Sequence, residues 1–184
     1  MMDLAELKKG LARAKDELLA NLQQSAAIIG ADAAALTEDR IVKRGERADG
    51  AKFSPYSTKP VPAYFYFGRS RNAAGEKSVR AAAAARQGVP YAEFRRFNGL
   101  NTAIKNFQFT GEMWQGFGVI SVKSVAAGIA EIEIGGKNAR SELLLKAHST
   151  REGIDLTKNS NTELLQIETA ISKRVSSIIA KNIK

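Results

Sequence analysis

Apolar residues recur at helical spacing at both ends of the chain and alternate in between. Leu4, Leu7, Leu11, Leu18 and Leu22 are separated by three, four or seven residues. At 3.6 residues per turn such positions stack on one face. Asp3 and Glu6 fall in the first turn, where the helix dipole favours acids. The pattern predicts a helix continued by Ala26, Ile28 and Ile29 as far as Gly30. A second helix is expected from Thr37, with Thr37 as N-cap, Glu38 and Asp39 behind it and an end by Gly45. Near the other end, Ser160-x-x-Glu163 has the capping-box spacing, in which each side chain satisfies a backbone N–H at a helix start. Leu164, Ile167, Ile171, Val175 and Ile178 follow as an apolar stripe, with Lys181 and Lys184 at the end the dipole favours for cations.

The period changes to two before that helix. Val119, Ile120, Val122 and Val125 suggest one strand. In Ile129 to Ile134, Ala130, Ile132 and Ile134 face one way and Glu131 and Glu133 the other. Ala126-Ala127-Gly128 between them predicts a hairpin. Ser141 to His148 reads as a short helix presenting Leu143, Leu144 and Ala147, broken by Gly153.

The middle of the chain is less regular. Ala48-Asp49-Gly50 signals a turn, and Pro55 excludes a helix around Phe53 to Thr58. Pro60 and Pro62 bracket an extended start. Tyr64-Phe65-Tyr66-Phe67 would put aromatics on both faces of a strand. That suits a strand buried on both sides, or an arm inserted against a neighbouring subunit. Gly68 to Gly75 is turn-like, and Ser78 to Arg86, with five consecutive Ala, predicts a helix ended by Gln87-Gly88 and Pro90. Tyr91, Phe94, Phe97 and Phe107 are interleaved with Arg95, Arg96 and Lys105. The fold class expected is α+β: a small antiparallel sheet packed with N-terminal helices and a C-terminal helix. Residues 1–58 and 107–184 would form one core domain, and 59–106 a long basic, aromatic-rich insertion or arm.

Charge sharpens that division. The 184 residues carry 28 Lys and Arg against 19 Asp and Glu, a formal charge of +9. Residues 51–110 hold ten basic and two acidic side chains, so nearly the whole excess lies there. Such asymmetry points to an acidic partner surface or nucleic acid, with a solvated loop as the plain alternative. Zero Cys excludes disulfides, thiolate nucleophiles, zinc–thiolate sites and iron–sulfur clusters. No apolar run approaches the roughly 18–20 residues of a membrane span. Met1-Met2-Asp3-Leu4 lacks the basic-then-apolar layout of a signal peptide. The expectation is a soluble protein made inside the cell, with no membrane partner.

Catalytic candidates are few. His148 is the only histidine; Ser149 and Asp155 are near it in sequence, but a triad needs convergence in space. Glu131 and Glu133 share one strand face, as paired acid–base or cation-holding carboxylates do, and as the exposed face of an amphipathic strand also does. Neither phosphate-loop spacing nor GxGxxG is present. No enzyme, catalytic residue, metal or cofactor is expected. Tyr64, Phe65, Tyr66, Phe67, Tyr91, Phe94 and Phe97 are candidate subunit-interface anchors. Arg69, Arg71, Arg80, Arg86, Arg95, Arg96 and Lys105 are candidate contacts to DNA or to an acidic partner. The interface reading is preferred to nucleic-acid binding, since no helix-turn-helix, RNP-type strand, KH loop or zinc finger is legible.

The order of these elements resembles the tail-completion and head–tail joining proteins of tailed bacteriophages, the neck or virion-morphogenesis group. The likeness rests on Asp49-Gly50-Ala51-Lys52-Phe53-Ser54-Pro55 followed by Ser57-Thr58, and on Thr110-Gly111-Glu112-Met113 in place of a "TGxL"-like motif. A hairpin, a short helix with a His near its end and a C-terminal helix follow in the same order. It covers 37–58 and 107–183; Lys59 to Asn106 is longer than the link between the two motifs in that group. The resemblance implies a structural virion protein, made and assembled in the host cytoplasm. It implies a homo-oligomeric ring that joins the portal or adaptor protein to tail proteins and continues the DNA channel, where DNA is a further contact. The alternative is a sequence-nonspecific nucleic-acid-binding protein.

Overall fold

Helix-forming and strand-forming stretches alternate along the chain as α1 (Leu4–Ala20), α2 (Leu22–Asp39), β1 (Pro60–Pro62), α3 (Ala73–Ala84), β2 (Gly88–Pro90), α4 (Tyr91–Phe97), α5 (Glu112–Gln115), β3 (Phe117–Ala126), β4 (Ile129–Gly136), α6 (Ala139–Glu152) and α7 (Asn161–Asn182). A π-helical turn at Arg40–Arg44 and a 3-10 turn at Ala63–Tyr66 complete the set. The structure, a computed structural model, describes residues 3–183. The fold is α+β, with two two-stranded antiparallel sheets among the described residues, β1–β2 and β3–β4. It divides into two compact units: residues 1–38 with 112–184, and Asp39–Gly111. The second is wider than the 59–106 stretch read as an arm, and it folds around a core of its own.

In the larger unit, α2 lies against the inner face of the β3–β4 hairpin. A Cβ on Gly30 would sit 2.6 Å from Ile132 Cγ2 and 2.8 Å from Val119 Cγ2. Gly30 was expected to stop a helix; instead it is the smooth spot that lets helix and sheet touch. The helix break falls earlier, at Asn21, and Thr37 is a buried residue near the end of α2 rather than an N-cap. The hairpin has the predicted alternation, with Val122 opposite Ile132 and Lys123 opposite Glu131. α6 is longer than its Ser141–His148 prediction and is capped by Asn138, whose side chain accepts from Ser141 N–H at 2.8 Å.

α7 begins with the predicted capping box. Ser160 N–H donates to Glu163 Oε2 at 2.6 Å, and Glu163 N–H donates to Ser160 Oγ at 3.2 Å. Asn159 Nδ2 ties this start to α2 through Ala33 O (3.1 Å) and Thr37 Oγ1 (2.8 Å). The far end is tied to α1. Asn182 Nδ2 and Lys181 Nζ each donate to the Glu17 carboxylate at 2.9 Å. A Cβ on Gly10 would lie 2.6 Å from the Asn182 carbonyl oxygen. Between these two latches the helix is uncovered: from Leu164 to Lys173 only Ile167 is even half-buried.

The smaller unit is built on aromatic packing. Ala63, Tyr66, Val79, Ala82, Val89 and Phe94 form its core, with Tyr91, Phe97 and Phe109 against it. Tyr66 and Phe94 stack with ring centroids 4.2 Å apart. The aromatic run Tyr64–Phe67 is therefore not a strand. It passes through a 3-10 turn, whose period of three buries Ala63 and Tyr66 and exposes Tyr64 and Phe65. α3 starts before its predicted Ser78, at Ala73, because Asn72 caps it by accepting from Gly75 N–H at 2.7 Å.

Candidate functional site

The seven arm aromatics separate by role. Tyr66 and Phe94 are buried in the core of the Asp39–Gly111 unit, and Tyr91 and Phe97 are half-buried against it. These four hold their own unit together, which corrects the reading of them as contacts to a neighbour. Tyr64, Phe65 and Phe67 are exposed. Tyr64 and Phe65 stack on one another at 4.9 Å, and the Arg80 guanidinium lies 5.0 Å from the centre of the Phe67 ring.

The seven cations separate likewise. Arg95 is 1% exposed. It lies 4.1 Å above the Tyr56 ring and donates to Asn101 O (3.1 Å) and Asn106 Oδ1 (3.2 Å). Tyr56 Oη donates to Asn106 Oδ1 at 3.1 Å and accepts from the N–H groups of Asn106 and Phe107 at 3.2 Å. Burial raises the Tyr56 pKa, and the Arg95 charge works against that rise. Arg95 is thus the polar centre of the fold and cannot reach a phosphate. Its place was legible: Tyr91, Phe94, Arg95 and Asn98 share one helical face, and Arg96 lies off it.

Lys105 is half-buried, 5.6 Å from the Phe107 ring. Arg69, Arg71, Arg80, Arg86 and Arg96 are exposed. The loop carrying the first two is fixed from both sides. Gly68 N–H donates to Glu76 Oε2 at 3.2 Å, and Arg71 N–H donates to Asn98 Oδ1 at 2.6 Å. Arg80 pairs with Glu76 at 2.9 Å. These ties gather Phe67, Arg69, Arg71 and Arg80 around the first half of α3, a charged surface on a fixed backbone.

The residues that carry the family resemblance are structural in these surroundings. Asp49 Oδ1 accepts from Ala51 N–H at 3.0 Å, across a turn in which Gly50 has φ 83°. Phe53 is buried edge-on to Phe107 at 4.9 Å, and Pro55 is exposed. Thr110 and Gly111 end the smaller unit, with Gly111 at φ 87°. Glu112 Oε2 accepts from Arg140 Nε at 3.3 Å, and Met113 is buried with its carbonyl accepting from Ser141 Oγ at 2.7 Å.

The remaining chemical candidates are engaged locally. His148 Nδ1 is 2.7 Å from an Arg151 guanidinium nitrogen, Ser149 Oγ accepts from Leu156 N–H, and Asp155 Oδ1 accepts from Thr157. Glu131 and Glu133 are exposed, and Glu133 accepts from Ser121 Oγ at 3.0 Å. Among the described residues no group of three or more His, Cys, Asp or Glu is placed to hold a metal ion, and no helix is long and apolar enough to cross a membrane.

A feature of the larger unit was not foreseen. Between its latched helices lies an open groove of about 560 Å³. Leu18 and Leu22, Ile29, Ile132, Ile171 and Val175 supply its walls. Lys15 and Arg174 are its charged lining residues, and no carboxylate lines it. The helical stripes that form it were visible in sequence; their failure to meet was not.

No protein-family model matches the chain, no curated protein matches it, and no solved structure does.

Proposed function

We propose that the chain is a structural subunit that works as a homo-oligomer, in the setting its motif order suggests: the neck or tail-completion ring of a tailed phage. One observation carries the reading. The larger unit leaves big apolar side chains uncovered on α1, α2, both strands, α6 and α7, including Leu11, Ile28, Val125, Ile129, Leu143 and Leu165. Burying a side chain of this kind stabilises by about 1.5–3 kcal/mol, so leaving so many in water is unfavourable for a monomer. They lie on several elements rather than one patch, which suits a subunit touching more than one neighbour. A ring of identical copies needs heterologous contacts of that sort. The β3–β4 sheet adds two unpaired edges, and a lone two-stranded sheet is marginal in water.

The test is the mass of the full chain in solution and its presence in particles. Analytical ultracentrifugation should show a discrete oligomer, and purified virions should contain the protein at a fixed copy number. A monomer at every concentration, absent from particles, would refute the proposal.

The exposed cations favour a second role, contact with nucleic acid by charge alone. Arg69, Arg71, Arg80, Arg86 and Arg96 present five guanidinium groups without the recognition elements that read bases. Binding to duplex should then be independent of sequence and weaken steeply with salt. Each exposed Arg that meets a phosphate should change the log–log salt slope by about 0.9 when replaced.

A further inference from the structure

α7 has a symmetry that its own fold does not use. Its apolar stripe, Leu164, Ile167, Ile171, Val175 and Ile178, is spaced three, four, four and three. The pattern reads the same from either end, with Ile171 at its centre. Glu168 lies three residues before that centre and Arg174 three after it. At 3.6 residues per turn all of these fall on one side of the helix. When two copies of a helix pair antiparallel, residues equally far from the centre meet. Such a pair would set Leu164 against Ile178, Ile167 against Val175 and Ile171 against itself. Glu168 of each copy would face Arg174 of the other.

The surroundings support that pairing. Leu164 and Ile171 are exposed, and Ile167, Val175 and Ile178 are half-buried, so the stripe is open. Ile171, Arg174 and Val175 line the groove beside α1, with Lys15 as its second cation. A groove with two cations and no carboxylate favours an apolar occupant that brings an acid. Glu168 is the only acid of α7 apart from Glu163, which is buried in the capping box. The exposed Tyr64–Phe65 pair is a poorer occupant, because Arg69 travels with it towards Lys15 and Arg174. Thr169, Ser172, Ser176 and Ser177 give the helix little intrinsic propensity, so its order depends on packing.

We infer that α7 is a two-fold dimerisation helix, seated antiparallel on α7 of a second copy and centred on Ile171. The seam closes at two copies. It stands apart from the ring, which needs other faces of the same unit.

The absence of Cys makes the test direct. Ile171→Cys in the full chain, under mild oxidation at micromolar concentration, should give a disulfide-linked dimer, since only a two-fold centre puts a residue beside its own copy. Ser177→Cys, on the opposite side of the helix, should stay uncrosslinked under the same conditions. Glu168→Arg and Arg174→Glu should each weaken self-association about tenfold, by turning two attractive pairs into repulsive ones. The combined Glu168→Arg/Arg174→Glu variant should return to the wild-type dimer constant, with circular dichroism showing all three folded. Equal cross-linking at 171 and 177, or a double variant as weak as the singles, would overturn the seam. Larger oligomers without a 171 cross-link overturn it while leaving the ring standing; a cross-linked dimer that never grows supports it and removes the ring.

Discussion

The two units of this chain solve the problem of burial differently. Among the described residues, the Asp39–Gly111 unit buries eight large apolar or aromatic side chains and exposes four. The larger unit buries five (Met113, Trp114, Phe117, Leu145 and Leu156) and exposes eleven. Much of its remaining core is Ala14, Ala26, Ala33 and Ala34. One unit is complete by itself, with its charge on the outside. The other has the helices and the sheet of a core domain but covers them only in part. A basic insertion that looked like an accessory arm is the self-sufficient part, and the apparent core domain is the part that calls for company.

Substitutions should divide along the same line. Phe94→Ala removes the ring stacked on Tyr66 and should cost about 3–5 kcal/mol in urea unfolding. Leu165→Ala, at a position 63% exposed in α7, should change the stability of the dilute monomer by less than about 0.5 kcal/mol. Equal losses at the two positions would break the comparison.

Arg95→Leu should cost about 1–3 kcal/mol, because it leaves Asn101 O and Asn106 Oδ1 buried without their donor. Arg96→Leu, one residue along and exposed, should leave the unfolding midpoint within about 0.5 kcal/mol of wild type and lower any duplex affinity instead.

Gly10→Ala pushes a methyl group into the Asn182 carbonyl and should cost about 1 kcal/mol. Hydrogen exchange should speed up near the end of α7 and not in α4.

The smallest effects are in pH. The Asn182 amide and then the Lys181 ammonium hold the Glu17 carboxyl below its ordinary 4.5. Its contribution is present above that pH and is lost as pH falls through the lowered value. Burial raises the Tyr56 hydroxyl above its ordinary 10.0, so its contribution is present below pH 10 and is lost as pH rises through the raised value. Acid should therefore loosen the α1–α7 latch first, and alkali the aromatic unit first, as exchange rates in the two regions would show.

Local signals were readable where a few neighbouring residues decide the outcome. The Ser160–Glu163 box, the Ile129–Ile134 alternation and the helix-breaking end at Gly153 are of this kind. Gly30 was misread because the reason for it is Ile132, about a hundred residues away. Tyr64–Phe67 was misread because four aromatics in a row have no period, and Pro62 and the core chose one. The stripe on α7 was plain, but whether a stripe is covered depends on every other element, and a single chain does not cover this one. The basic surface was legible as a charge excess, and Arg95 was wrongly included because composition outweighed its place on the Phe94 face.

The contrast between a finished unit and an unfinished one is tested most directly by hydrogen exchange of the intact chain across a wide dilution series. Amides from 164 to 175 should lose protection as the protein is diluted, while those from 79 to 98 should keep theirs unchanged. Protection in α7 that stays constant at every concentration would contradict the claim that this helix is completed by another copy.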